Sequence, residues 1–154
     1  MSVAEMNSSG KIGDMRIWIF TLMLALSSPA QAGKTYGDVV VDRVGTVIDG
    51  DSFKVDINDW PEVAGKGITV RISDIDTPEL RGKCGAEKQL ARKAKQFTVD
   101  RLRSANRVEL RNMQRGKYFR LVADVYVDGV SLGADLMRSG LAVEYGKRKR
   151  GWCR

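Results

Sequence analysis

The sequence predicts a mainly β fold with helices: a five-stranded barrel, one helix between strands three and four, and a second short helix near the end. Three observations predict it. Valine, isoleucine and other strand-forming residues gather in short runs bounded by Gly, Asp and Pro. One stretch, 86–105, changes to helical periodicity. The resulting order is three strands, helix, two strands, helix.

Each element follows from its residues. DVVVDRVGTVIDG (38–50) is rich in β-branched residues and reads as a strand that bends at Gly45. Asp49-Gly50 marks a turn, and Ser52 to Ile57 alternates as the returning strand of a hairpin. Residues 58–67 carry Trp60-Pro61 and two glycines and read as a loop, followed by a third strand over Ile68 to Ser73. Asp76-Thr77-Pro78-Glu79 ends that strand, because Pro78 cannot donate to a ladder. In 86–105, Leu90, Ala91, Ala94, Phe97 and Leu102 share one face, with Lys and Arg opposite. Val108 to Asn112 and Phe119 to Val127 read as two strands around the basic loop Gln114 to Tyr118, the second ended by Asp128-Gly129. Leu132, Leu136 and Met137 support the short helix, which stops near Gly140. A helix between strands three and four suits the OB arrangement, although an α+β sandwich shows the same order.

Length and charge narrow the function. At 154 residues the chain holds one domain with a real core. Its net charge of +7 and pI of about 9.6 favour a polyanionic partner. The absence of histidine excludes His-dependent triads, His-ligated zinc and imidazole bases. Acid–base work falls to carboxylates, Lys, Tyr, Cys or metal-activated water.

The N-terminus reads as a targeting segment. Arg16 precedes the apolar run Ile17 to Leu26, and Ala30-Gln31-Ala32 supplies small residues at a cleavage site. Residues 1–32 are therefore expected to be an extension and secretory signal, with the folded domain over 33–154. The polar stretch Met1 to Asp14 fits poorly before such a signal, which makes Met15 an alternative start. The apolar run is too short to span a bilayer, so no stable membrane association is expected. Export, to a periplasm or out of the cell, implies an oxidising compartment. There Cys84 and Cys153 are expected to form one disulfide. Closing a loop of roughly 70 residues would contribute up to about 4 kcal/mol in the chain-entropy model.

Asp49 and Asp51 in VIDGDSF, and Arg71, Asp76 and Glu79 in VRISDIDTPEL, form the densest chemical pattern. Both stretches run from a strand into a turn. If those strands are neighbours, Asp51, Asp76 and Glu79 converge. Carboxylates ~5 Å apart repel by about 3 kcal/mol per pair at an effective dielectric near 20. A hard cation held by oxygens offsets that repulsion, and arginines gripping a phosphate complement it. Together they point to phosphodiester hydrolysis. Asp49 reads as structural, since it begins the turn.

VIDGDSF, VRISDIDTPE, KYFR and DGVSLGADLMRSGLA, in this order from about Val39 to Tyr145, resemble the staphylococcal nuclease-like family. The resemblance implies an OB-type barrel and calcium-dependent hydrolysis of DNA and RNA. It implies that Asp51 and Asp76 are carboxylate metal ligands and that Thr77 lends a backbone carbonyl. Glu79 resembles the residue that activates or positions the attacking water, and Arg71 and Arg120 the two arginines on the scissile phosphate. Lys117 and Tyr118 fall where the family contacts the neighbouring nucleotide, and Tyr145 matches a stacking tyrosine. Ser52 replaces the usual threonine, and Phe119 stands where glycine is common before the second arginine. The resemblance implies DNA or RNA as substrate with little base specificity; no oligomer is implied, and a monomer is expected. Two other readings stay open: a non-catalytic OB module that binds nucleic acid, and a domain whose calcium serves stability alone. The basic helix face (Arg92, Lys93, Lys95, Arg101) reads as solvated, and Lys147 to Arg150 as either substrate-facing or solubilising.

Overall fold

A computed structural model describes residues 34–147 and 152–153. The expected signal segment, the alternative start at Met15 and positions 148–150 of the basic tail lie outside the described residues. The elements, in chain order, are β1 (Val39–Val40), β2 (Arg43–Val47), β3 (Ser52–Asp56), α1 (Glu62–Gly65), β4 (Ile68–Ile72), β5 (Ile75–Asp76) and α2 (Gly85–Arg103). They continue with β6 (Val108–Arg115), β7 (Leu121–Val127), β8 (Val130–Ser131), α3 (Leu132–Arg138) and β9 (Val143–Glu144).

The main sheet runs β1-β6-β7-β4-β3-β2, with β8 beside β7, while β5 and β9 form a separate two-stranded ladder. Its two edges, β1 and β2, are consecutive stretches of one chain segment, so the sheet curls around its core. The strand expected over 38–50 is divided because the chain changes partner. Val41 donates to Val108, and the next residue, Asp42, donates to Asp56. A register shift between Val44 and Val47 marks the expected bend at Gly45. All pairings are antiparallel except β4 with β7, which is parallel.

Four further differences have local causes. Pro61 caps α1 in the expected loop, and Gly65 accepts the Ile57 amide at 2.7 Å. β6 continues past Asn112 to Arg115 across a bulge, with Asn112 at φ 51°. Phe119, expected to open the next strand, instead takes left-handed backbone at φ 62°, and β7 begins at Leu121. β9, absent from the expected elements, pairs with β5.

Alternation along β7 sends Leu121, Ala123, Val125 and Val127 inward, where they meet Phe53, Val55, Val70, Ile72 and Leu110. Burying each large side chain contributes about 1.5–3 kcal/mol. α2 lays Ala91, Ala94, Thr98 and Leu102 inward. Thr98 donates to the Gly50 carbonyl at 2.6 Å, which ties the helix to the turn carrying Asp51. A Cβ at Gly50 would lie 2.8 Å from that of Ala94 and 2.9 Å from Thr77 Cγ2. Only glycine lets the turn approach the helix so closely. Among the described residues, no helix is long and apolar enough to cross a membrane.

Candidate active site

Strand pairing builds the site. Ser52 faces Arg71 across β3 and β4, so Asp51 lies beside the arginine. The parallel ladder sets Arg71 opposite Val122, two residues after Arg120. The short β5–β9 ladder pairs Asp76 with Val143, and Tyr145 then donates its amide to Asp74 at 2.8 Å. That last bond brings the Tyr145 ring centre within 5.9 Å of the Arg71 guanidinium carbon.

Arg71 joins the two buried carboxylates. Its Nη1 lies 3.2 Å from Asp51 Oδ1 and 3.1 Å from Oδ2, while Nη2 lies 2.6 Å from Asp76 Oδ1. Nη2 also reaches the Ile75 carbonyl at 3.3 Å. Asp51 and Asp76 are 3% and 8% exposed. Ser52 donates its hydroxyl to Asp51 Oδ1 at 2.8 Å, and the Thr77 amide donates to Oδ2 at 3.3 Å. Asp49 accepts the Asp51 amide at 3.3 Å. Burial, and then the negative charge of Asp51, push the Asp49 carboxyl up to about 6. One guanidinium against these acids leaves the site short of positive charge.

Glu79 is exposed on the loop after Pro78, with its amide 3.5 Å from Glu87 Oε1. Asp51 and Asp76 are brought together through Arg71. Among the described residues, the three-ligand group that does meet is Cys84, Glu87 and Cys153. Its cysteines are joined as a disulfide with Cα atoms 5.8 Å apart.

The donor set of Asp51 and Asp76 fits a hard cation: both are oxygen ligands, both are buried, and a single positive group already bridges them. Thr77 is placed beside them, and in this structure its amide makes the contact with Asp51.

Arg120 is half-buried, and its Nε has no hydrogen-bond partner among the described residues. It opens with Arg71, Lys117 and Tyr145 onto one cavity of about 370 Å³. Tyr118 projects from the same loop, 91% exposed, at φ 57°. Left-handed backbone at 118 and 119 explains why glycine suits the position before Arg120. Three contributors went unassigned in the sequence: the Ser52 hydroxyl, the Thr98 tether and Glu87. Ser52 had a signal, being adjacent to Asp51. The other two depend on contacts across 48 and 8 residues, which no local pattern encodes.

Buried oxygen donors and guanidinium groups at one opening of a curled β sheet define an anion-facing site with room for a cation. The chain belongs to the staphylococcal nuclease homologue family, whose pattern it matches over residues 69–151. Two relatives from Bacillus subtilis (strain 168), SPbeta prophage-derived endonuclease YokF and endonuclease YncB, are each 36% identical to it over 108 residues. The match covers 68% of this chain but only 33% of YokF and 46% of YncB. The chain thus spans less than half the length of either relative.

Proposed function

We propose that this protein is a calcium-dependent nuclease that hydrolyses phosphodiester bonds in DNA and RNA with little base specificity. The observation that carries the reading is Arg71, bound to both buried carboxylates and open to the same cavity as Arg120. The naming of both relatives as endonucleases supports it.

Asp51, Asp76 and the Thr77 carbonyl would hold calcium, which prefers six to eight oxygens in irregular geometry. When bound, calcium supplies charge that screens the phosphate and makes nearby water more acidic. Glu79 accepts a proton from the attacking water, and Pro78 stiffens the turn that carries it. Arg71 and Arg120 donate to the phosphoryl oxygens as negative charge builds there. Planar guanidinium groups suit that task better than lysines. The 5′ oxygen leaves, giving a 3′-phosphorylated product. Lys117 and Tyr118 contact the adjoining nucleotide, and Tyr145 stacks on it. Recognition through phosphate rather than base edges accounts for the low base specificity.

We read the sheet as an OB-type barrel of five strands, β1 and β2 counting as one bent strand beside β3, β4, β6 and β7. Residues 1–32 are read as an export signal, and the protein as a monomer acting in the periplasm or outside the cell.

The test is cleavage of plasmid DNA and of RNA by the purified protein with calcium, magnesium or EDTA. Calcium should support cleavage, EDTA abolish it, and Glu79→Gln lower it at least about a hundredfold. Cleavage indifferent to EDTA would remove calcium from the mechanism. Binding without cleavage would leave a nucleic-acid-binding module, and a calcium-raised Tm without cleavage a structural ion.

A further inference from the structure

Glu87 lies in the first turn of α2, 7% exposed, and no cation pairs with it among the described residues. Cys84 is the N-cap of that helix, so Glu87 occupies the third helical position. A glutamate there ordinarily reaches back to the N-cap amide. This one reaches further. Its Oε2 accepts the Lys83 amide at 2.8 Å, and its Oε1 lies 3.5 Å from the Glu79 amide. Between those contacts, Gly82 donates its amide to the Glu79 carbonyl at 2.8 Å, closing a turn. The carboxylate therefore touches both ends of the turn that begins at Glu79.

Two further features fit the carboxylate to this place. A Cβ at Gly82 would come within 2.5 Å of Glu87 Oε2, so the glycine leaves room for it. The other side is covered by Trp152 and Cys153: Cys153 Sγ lies 3.6 Å from Oε2, and Trp152 is 8% exposed. A carboxylate buried without a cation satisfies its oxygens only through such amide donors, which fixes it to them.

We propose that Glu87 is a positioning residue, whose buried carboxylate holds the turn that aims Glu79 while Trp152–Cys153 keeps water from it. This rests on the reading of Glu79 as the group that accepts the proton. A general base displaced by about 1 Å costs up to ~100-fold in rate without weakening substrate binding. Helix capping alone would alter stability and leave the rate unchanged.

The experiment compares Glu87→Gln, Gly82→Ala and the double variant with the wild-type full chain. It measures kcat and KM on an oligonucleotide with calcium, and hydrogen exchange at the Lys83 amide in EDTA without substrate. Each single variant should lose about tenfold or more in kcat with KM within about twofold. Lys83 exchange should quicken by at least about tenfold. The double variant should fall little below the worse single one, since both changes disrupt the same contact. A lowered Tm with unchanged kcat would overturn the proposal, as would unchanged Lys83 exchange. If Glu87→Gln fails to fold, Gly82→Ala decides alone. A wild-type protein that cleaves nothing would sink the nuclease reading, yet the exchange measurement would still show whether Glu87 holds the turn.

Discussion

The two arginines that open onto the cavity are held in opposite ways. Arg71 stands within β4, flanked by β3 and β7, with its donors taken by Asp51, Asp76 and the Ile75 carbonyl. Arg120 follows two residues in left-handed backbone, and its Nε is unpartnered among the described residues. Hydrogen-bonded strands and buried acids fix the first before any ligand arrives. The second sits at the end of a loop strained by roughly 1 kcal/mol per left-handed residue, with a donor left unmet. Under the proposed function, stability and catalysis would coincide at Arg71 and part company at Arg120.

Substitutions can break or sharpen that contrast. Arg71→Ala should have the largest effect, lowering cleavage at least about a hundredfold. It should also destabilise the protein in EDTA by about 3 kcal/mol, because Asp51 and Asp76 lose their shared cation. Calcium should restore part of that loss in denaturant titrations. Arg120→Ala should cost about a hundredfold in activity with stability within about 0.5 kcal/mol of wild type. Equal destabilisation by the two variants would end the contrast.

Asp49→Asn probes the acidic side alone. The native carboxyl titrates near 6, above its ordinary 3.8, so the folded state favours the protonated form. Wild-type stability in EDTA should therefore fall as pH rises from about 4 through 6. The variant should lack that fall, its advantage in Tm being greatest above pH 6 and vanishing below about 4. The smallest effect is expected at the loop. Tyr118→Gly relieves left-handed strain and should gain about 0.5 kcal/mol. KM for an oligonucleotide should rise several-fold with the loss of the exposed ring. Unchanged KM would remove Tyr118 from substrate contact.

The same contrast separates what could be read from the sequence from what could not. Asp51, Arg71 and Asp76 lie where strand patterns meet turn residues, and neighbouring strands were enough to bring them together. The 116–120 loop misled the strand assignment only at Phe119, which carries high strand propensity while its backbone is left-handed. Tyr145 reaches Arg71 only through β9, two residues long and too short for any periodic signal. Glu87 drew no assignment from the sequence. Its role depends on Gly82 and on Cys153, 66 residues away.

The parallel pairing of β4 with β7 carries a consequence for when the chain becomes chemically competent. Parallel neighbours cannot be joined by a tight turn, so the segment between them, α2 and β6 included, must be traversed before Arg71 and Val122 can register. Such distant closures come late and slowly in folding. A nascent or unfolded chain thus holds every reactive side chain yet lacks the enclosure that would make them act together.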